Sequence, residues 1–105
     1  MADAAPSFTA DGIDLVGYHD LEGRPVFKLA LQVVDDRWYL YATHFWEPRL
    51  SILDVTDPAD MQLVGAIDGP ADAATWQVQV ADGLLVQGLE RRPVPWGGDP
   101  EIDAE

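Results

Sequence analysis

The chain has 105 residues, of which 19 are acidic and 6 basic, for a formal charge of −13; such a surface repels phosphate backbones and anionic headgroups, so neither nucleic acid nor a membrane surface is an expected partner. Hydrophobic residues make up 48% and aromatic residues 10%, the composition of a globular chain at the size of one small domain, able to bury a core with little surplus stability. Cysteine is absent, which excludes disulfides, thiolate metal sites and cysteine nucleophiles.

Residues 1–14, rich in Ala, Asp, Ser and Pro, show no period and read as an N-terminal arm. They lack the basic n-region and continuous apolar run of a secretory signal, and a cytoplasmic location is expected. No stretch reaches the ~18 apolar residues of a membrane helix. Leu15–Tyr18 is the first β-rich run. The polar connector Tyr18–Lys28 follows, with Gly23 and Pro25 as turn residues, and reads either as a plain loop or as one wall of a cleft. It holds His19 and Asp20.

Lys28–Val34 and Trp38–Thr43 predict two strands joined at Asp35-Asp36. His44, Phe45, Trp46 and Glu47 then occupy a strand end and loop. Arg49–Thr56 predicts a strand that is apolar on both faces, through Leu50, Ile52, Leu53 and Val55. Asp57-Pro58 closes it with a turn reaching Asp60, and Gln62–Ile67 is the next strand. Asp54, Thr56, Asp57 and Asp60 raise the question of calcium, but their spacing lacks the central Gly and terminal Glu of an EF-hand, and turn capping is expected. Thr75–Ala81 and Leu84–Leu89 flank Asp82-Gly83, a strong type I′ hairpin signal. The remainder, 92–105, is a Pro/Gly-rich acidic tail containing Trp96. No long helix is expected, since no stretch keeps a 3.6-residue apolar period for three turns.

Internal repetition organises these runs. Leu15-Val16-Gly17 recurs 48 residues later as Leu63-Val64-Gly65; Leu29, Leu31 and Val33 match Trp76, Val78 and Val80 at an offset of 47; Trp38 and Leu40 match Leu84 and Val86 at 46. Arg49-Leu50-Ser51-Ile52-Leu53-Asp54-Val55-Thr56-Asp57-Pro58, followed by Gln62-Leu63-Val64-Gly65, resembles the LVIVD repeat of bacterial β-propellers. The resemblance covers residues 15–90 as about one repeat and a half. It implies an all-β fold, with an antiparallel four-stranded propeller-blade meander over 15–68 and an incomplete second blade over 69–91.

Propeller blades bury their faces against neighbours, so the expected function is a binding or scaffold module, a fragment or self-associating unit of a larger propeller. Its expected partners are other blades or copies of itself, as a homo-oligomer. Candidate binding residues are His19, Asp20, His44, Phe45, Trp46, Glu47 and Trp96, while Trp38 and Trp76 are expected in the blade core and Arg91-Arg92 at a solvated strand end. The alternative is part of a metal-dependent propeller enzyme in which His19 and His44 ligate a transition metal, as the histidine-rich sites of related propellers imply. The plainer reading has both histidines bonding loop backbone, with no cofactor. No phosphate-binding glycine loop, nucleophile elbow or zinc signature is present.

Overall fold

The computed structural model of the protein describes residues 7, 9–45 and 47–96, with the backbone alone at Trp96. Among the described residues six strands form: β1 (Val26–Val34), β2 (Arg37–His44), β3 (Arg49–Asp54), β4 (Gln62–Asp68), β5 (Ala73–Ala81) and β6 (Leu84–Arg91). β1 to β4 make an antiparallel meander in chain order, and β5 pairs with β6 as a separate two-stranded sheet. A short 3-10 turn, Leu21–Gly23, precedes β1, and a second, Val94–Trp96, follows β6.

Both tight hairpins are of the type that right-handed strand twist favours. Asp35 and Asp36 have φ of 50° and 64°, and Asp82 and Gly83 have 52° and 75°, as a type I′ turn requires at both central positions. Because each loop is two residues long, the repeat offset stays at 47 through the second hairpin. Val34 pairs with Arg37 as Ala81 pairs with Leu84, and Val33 with Trp38 as Val80 with Leu85. Trp38 therefore corresponds to Leu85, not to Leu84, and the offset of 46 read from residue similarity is corrected by one.

The core lies on both faces of the meander. On one face Leu21, Ala42 and Leu53 pack together, joined by Leu40, Val55 and Leu63. On the other, Tyr41, Leu50 and Val78 are buried together, with Ala30, Tyr39, Ile52, Val80 and Leu85 around them. The second face is thus covered by the β5–β6 sheet, and β3 is apolar on both sides as expected. Burying a Leu such as Leu50, which is 0% exposed, contributes about 1.5–3 kcal/mol.

Leu15–Tyr18 is not a strand. Instead of lying along a sheet edge, this segment crosses the β3–β4 connection. A Cβ on Gly17 would stand 1.8 Å from the Pro58 carbonyl oxygen, a contact that only glycine allows. The Leu-Val-Gly similarity to β4 is therefore a likeness of sequence without one of conformation.

Candidate functional site

His44 ends β2 at 0% exposure. Its Nδ1 lies 3.0 Å from the Pro25 carbonyl and its Nε2 2.7 Å from the Ser51 hydroxyl. A carbonyl only accepts, so in the neutral ring Nδ1–H donates to Pro25 and Nε2 accepts from Ser51. Ser51, 2% exposed, points to this face of β3 and is held there by the Ala42–Ser51 pairing. The pair has the atom types of a nucleophile and its base, but it is sealed beneath the surface. Both nitrogens are committed, which leaves no lone pair for a metal unless this network opens.

His19 sits in a different setting. Its Nδ1 accepts from the Leu21 amide at 2.9 Å, and Asp20 Oδ1 accepts from the Glu22 amide at 3.0 Å. Between them they cap a turn in which Leu21, Glu22 and Gly23 have φ of 52°, 61° and 75°. Left-handed backbone at two non-glycine residues costs roughly 1–2 kcal/mol each. Burial of Leu21 against Ala42 and Leu53 offsets it. Glu47 forms an ion pair with Arg24 beside this turn. Among the described residues no group of three or more His, Asp or Glu converges as a metal cluster would.

The same end of the sheets carries an aromatic cluster. β1 is bulged between Val26 and Leu29 and β5 between Thr75 and Val78, and the two bulges deliver Phe27 and Trp76 to one place. Their ring centroids are 5.1 Å apart, with Phe45 at 5.6 Å from Phe27 and 5.3 Å from Trp76. Rings this close touch one another, so the cluster presents an outer surface and holds no guest between its members. The fully buried Thr43 joins the bulges: its Oγ1 accepts from the Lys28 amide at 3.0 Å and lies 3.2 Å from the Trp76 carbonyl. Lys28 Nζ adds a bond to Gln77 Oε1 at 2.8 Å. Of the expected contact residues, Phe45 is 38% exposed here, while Trp46 and the side chain of Trp96 lie outside the described residues. Trp76 is half-buried in this cluster.

Trp38 departs from expectation. It is 46% exposed, because it points to the face of the meander opposite the β5–β6 sheet. There it lies beside Val33, its cross-strand partner, with Leu31 and Leu29 further along β1, these three at 46–52% exposure. The connector reaches the β2–β4 side of this face through Leu21 and leaves the β1 side open. The β5–β6 sheet has its own bare face, with Leu84 and Val86 both 67% exposed. Sequence patterning had signalled apolar faces but not which would be bare. Hollows lined by Arg91–Val94 and by Pro70, Asp72, Ala73 and Leu89–Arg91 hold only about 220 and 260 Å³, less than the ≈ 300 Å³ at which ligand pockets begin.

Among the described residues, the turns at one end carry Asp35, Asp36, Asp57, Asp60 and Asp82 with Arg37, whereas at the other Arg24, Lys28, Arg49, Arg91 and Arg92 are balanced by Glu22, Glu47, Asp68, Asp72 and Glu90. Of the carboxylates weighed for calcium, Asp54 and Asp57 cap backbone, whereas the Asp60 carboxylate accepts from Gln62 Nε2 at 2.7 Å. Asp54 Oδ1 accepts from the Thr56 amide and hydroxyl at 3.0 and 2.6 Å, Asp57 Oδ1 accepts from the Ala59 amide at 3.1 Å, and the Asp60 amide donates to the Asp57 carbonyl at 2.9 Å. The Thr56 bonds, seconded by Arg37, hold the Asp54 carboxyl below its ordinary range. Arg49, bonded at 2.7 Å, does the same for Asp68. Arg91 pairs with Asp72 at 3.5 Å at the end of β6.

Comparison with protein-family models, with curated proteins and with solved structures finds no match for this chain.

Proposed function

We propose that the chain is a propeller-type repeat module of the LVIVD kind whose function is protein association, its flat apolar faces being the binding surfaces. The observation that carries this reading is the row Leu29, Leu31, Val33 and Trp38, each 46–52% exposed on one face of a sheet whose other face is covered over Tyr41 and Leu50 by a second sheet. A contiguous apolar patch of this kind marks an interaction site. A blade neighbour is its natural cover, because flat sheet faces pack against one another at ≈ 10 Å. The Asp-Val-Thr-Asp-Pro turn and its strands supply the family likeness, and the four-plus-two strand arrangement agrees with a blade and the beginning of another. The metal-enzyme reading gains nothing from His44, whose ring is engaged on both sides.

Binding of an environment-sensitive dye such as anilinonaphthalene sulfonate, measured together with molecular mass by light scattering, tests the proposal. A folded monomer that binds the dye at these faces, and binds less of it with Leu31→Glu or Val86→Glu, supports open docking faces. An oligomer that binds little dye supports faces already covered. A folded monomer that binds no dye overturns the reading.

A further inference from the structure

The packing inside the chain specifies what fits the open faces. With the offset fixed at 47 by the two hairpins, Leu31, Val33 and Trp38 correspond to Val78, Val80 and Leu85. The latter three are the residues by which the β5–β6 sheet sits on Ala30, Tyr39, Tyr41, Leu50 and Ile52 of the meander. The exposed face of β1–β2 is thus the counterpart of the buried face of β5–β6. By the same correspondence Gln79, Ala81 and Val86, on the bare face of β5–β6, stand where Gln32, Val34 and Tyr39 stand on the covered face of β1–β2. One kind of face meets the other within the chain, and one of each is left over.

From this repetition we infer that the partner for each face is a second copy of the chain, stacked head to tail. The bare β5–β6 face of one copy, through Leu84 and Val86, covers Leu29, Leu31, Val33 and Trp38 of the next, continuing the interface that already joins the two sheets. This names the partner of the docking faces proposed above and rests on that reading. Such a contact is heterologous: it uses different surfaces on the two copies, so it forms a ring if the rotation closes and a filament if it does not. Like charge opposes it, since each copy brings a formal −13, and screening by salt therefore favours assembly.

The test uses Leu31→Glu and Val86→Glu, both at exposed strand positions, with circular dichroism confirming that each folds. Light scattering at about 100 μM, where even a micromolar Kd is saturated, is expected to show multimers of the wild type, more of them at about 0.5 M than at 0.05 M salt. Each variant alone is expected to be monomeric. Mixed, the two variants form a dimer and nothing larger, because the Leu31→Glu copy keeps a sound β5–β6 face and the Val86→Glu copy a sound β1–β2 face. Survival of dimers in Val86→Glu alone would refute the inference in favour of a symmetric contact through β1–β2. A wild-type monomer at both salts also overturns it. If that monomer binds the dye, the docking faces remain and belong to another partner; if it does not, the underlying reading fails as well.

Discussion

Replacing Ser51 by alanine removes the hydroxyl that donates to His44 Nε2 and leaves that acceptor in a site with 0% exposure. A buried polar group stripped of its partner costs about 1–3 kcal/mol. A domain of this length has on the order of 5–15 kcal/mol in total. Each kilocalorie moves the midpoint of a small domain by about 4–8 °C, so Ser51→Ala is expected to lower Tm by several degrees to about 20 °C. His44→Leu alone orphans the Ser51 hydroxyl, whereas the Pro25 carbonyl keeps its bond from the Phe45 amide at 3.2 Å, and the change is expected to cost a similar amount. The double variant removes both sides of the 2.7 Å bond and is expected to cost less than the two singles together, by about 1 kcal/mol or more. Urea unfolding of all four proteins, run dilute enough to keep association out of the transition, gives the cycle. Should Ser51→Ala stay within about 0.5 kcal/mol of the wild type, or the singles add, the hydrogen bond has no structural weight and the view of His44 as a group held by the fold loses its basis.

Leu50→Ala, at the centre of the face between the sheets, is expected to cost about 2–5 kcal/mol, read by the same unfolding assay. Asp36→Gly is expected to stabilise by up to about 1 kcal/mol, since glycine adopts the φ of 64° without strain; a loss would show that the Asp36 side chain holds the turn. Gly17→Ala is expected to push residues 13–18 off the Pro58 carbonyl, visible as faster amide exchange in that segment with β1–β4 unchanged. Asp54 and Asp68 have folded pKa values below their unfolded ones. Their stabilisation is therefore present above about pH 4, the ordinary carboxylate value, and is lost as pH falls through the lowered folded values. Asp54→Asn and Thr56→Ala should each flatten the decline of Tm between about pH 4 and 2, and an unchanged slope would remove Asp54 from the account.

Six strands were legible because their apolar runs end in residues with one structural meaning. Asp82-Gly83 and Asp57-Pro58 fix chain reversals, and each strand lies within two residues of its expected bounds. Leu15–Tyr18 was misread because a β-rich run becomes a strand only if an edge is offered to it, and local composition carries no trace of the Pro58 contact. Trp38 was misassigned for a related reason: alternation tells that a face is apolar, and only the placement of the second sheet tells which face is covered. The surroundings of His44 were hidden for want of a local cue. A clue did exist in Ser51, a lone hydroxyl in the apolar run Leu50-Ser51-Ile52-Leu53, which in a buried strand demands a partner. The aromatic cluster depends on two bulges, whose positions differ by two residues between the repeats, and repetition alone gives no access to them.

Each two-residue turn closes a hairpin between strands adjacent in the chain, with Val34 against Arg37 and Ala81 against Leu84. Loops that short ask little closure entropy of the chain, so β1–β2 and β5–β6 are expected to zip up first, and docking one sheet on the other through Val78 and Leu50 is expected to be the slower event of folding.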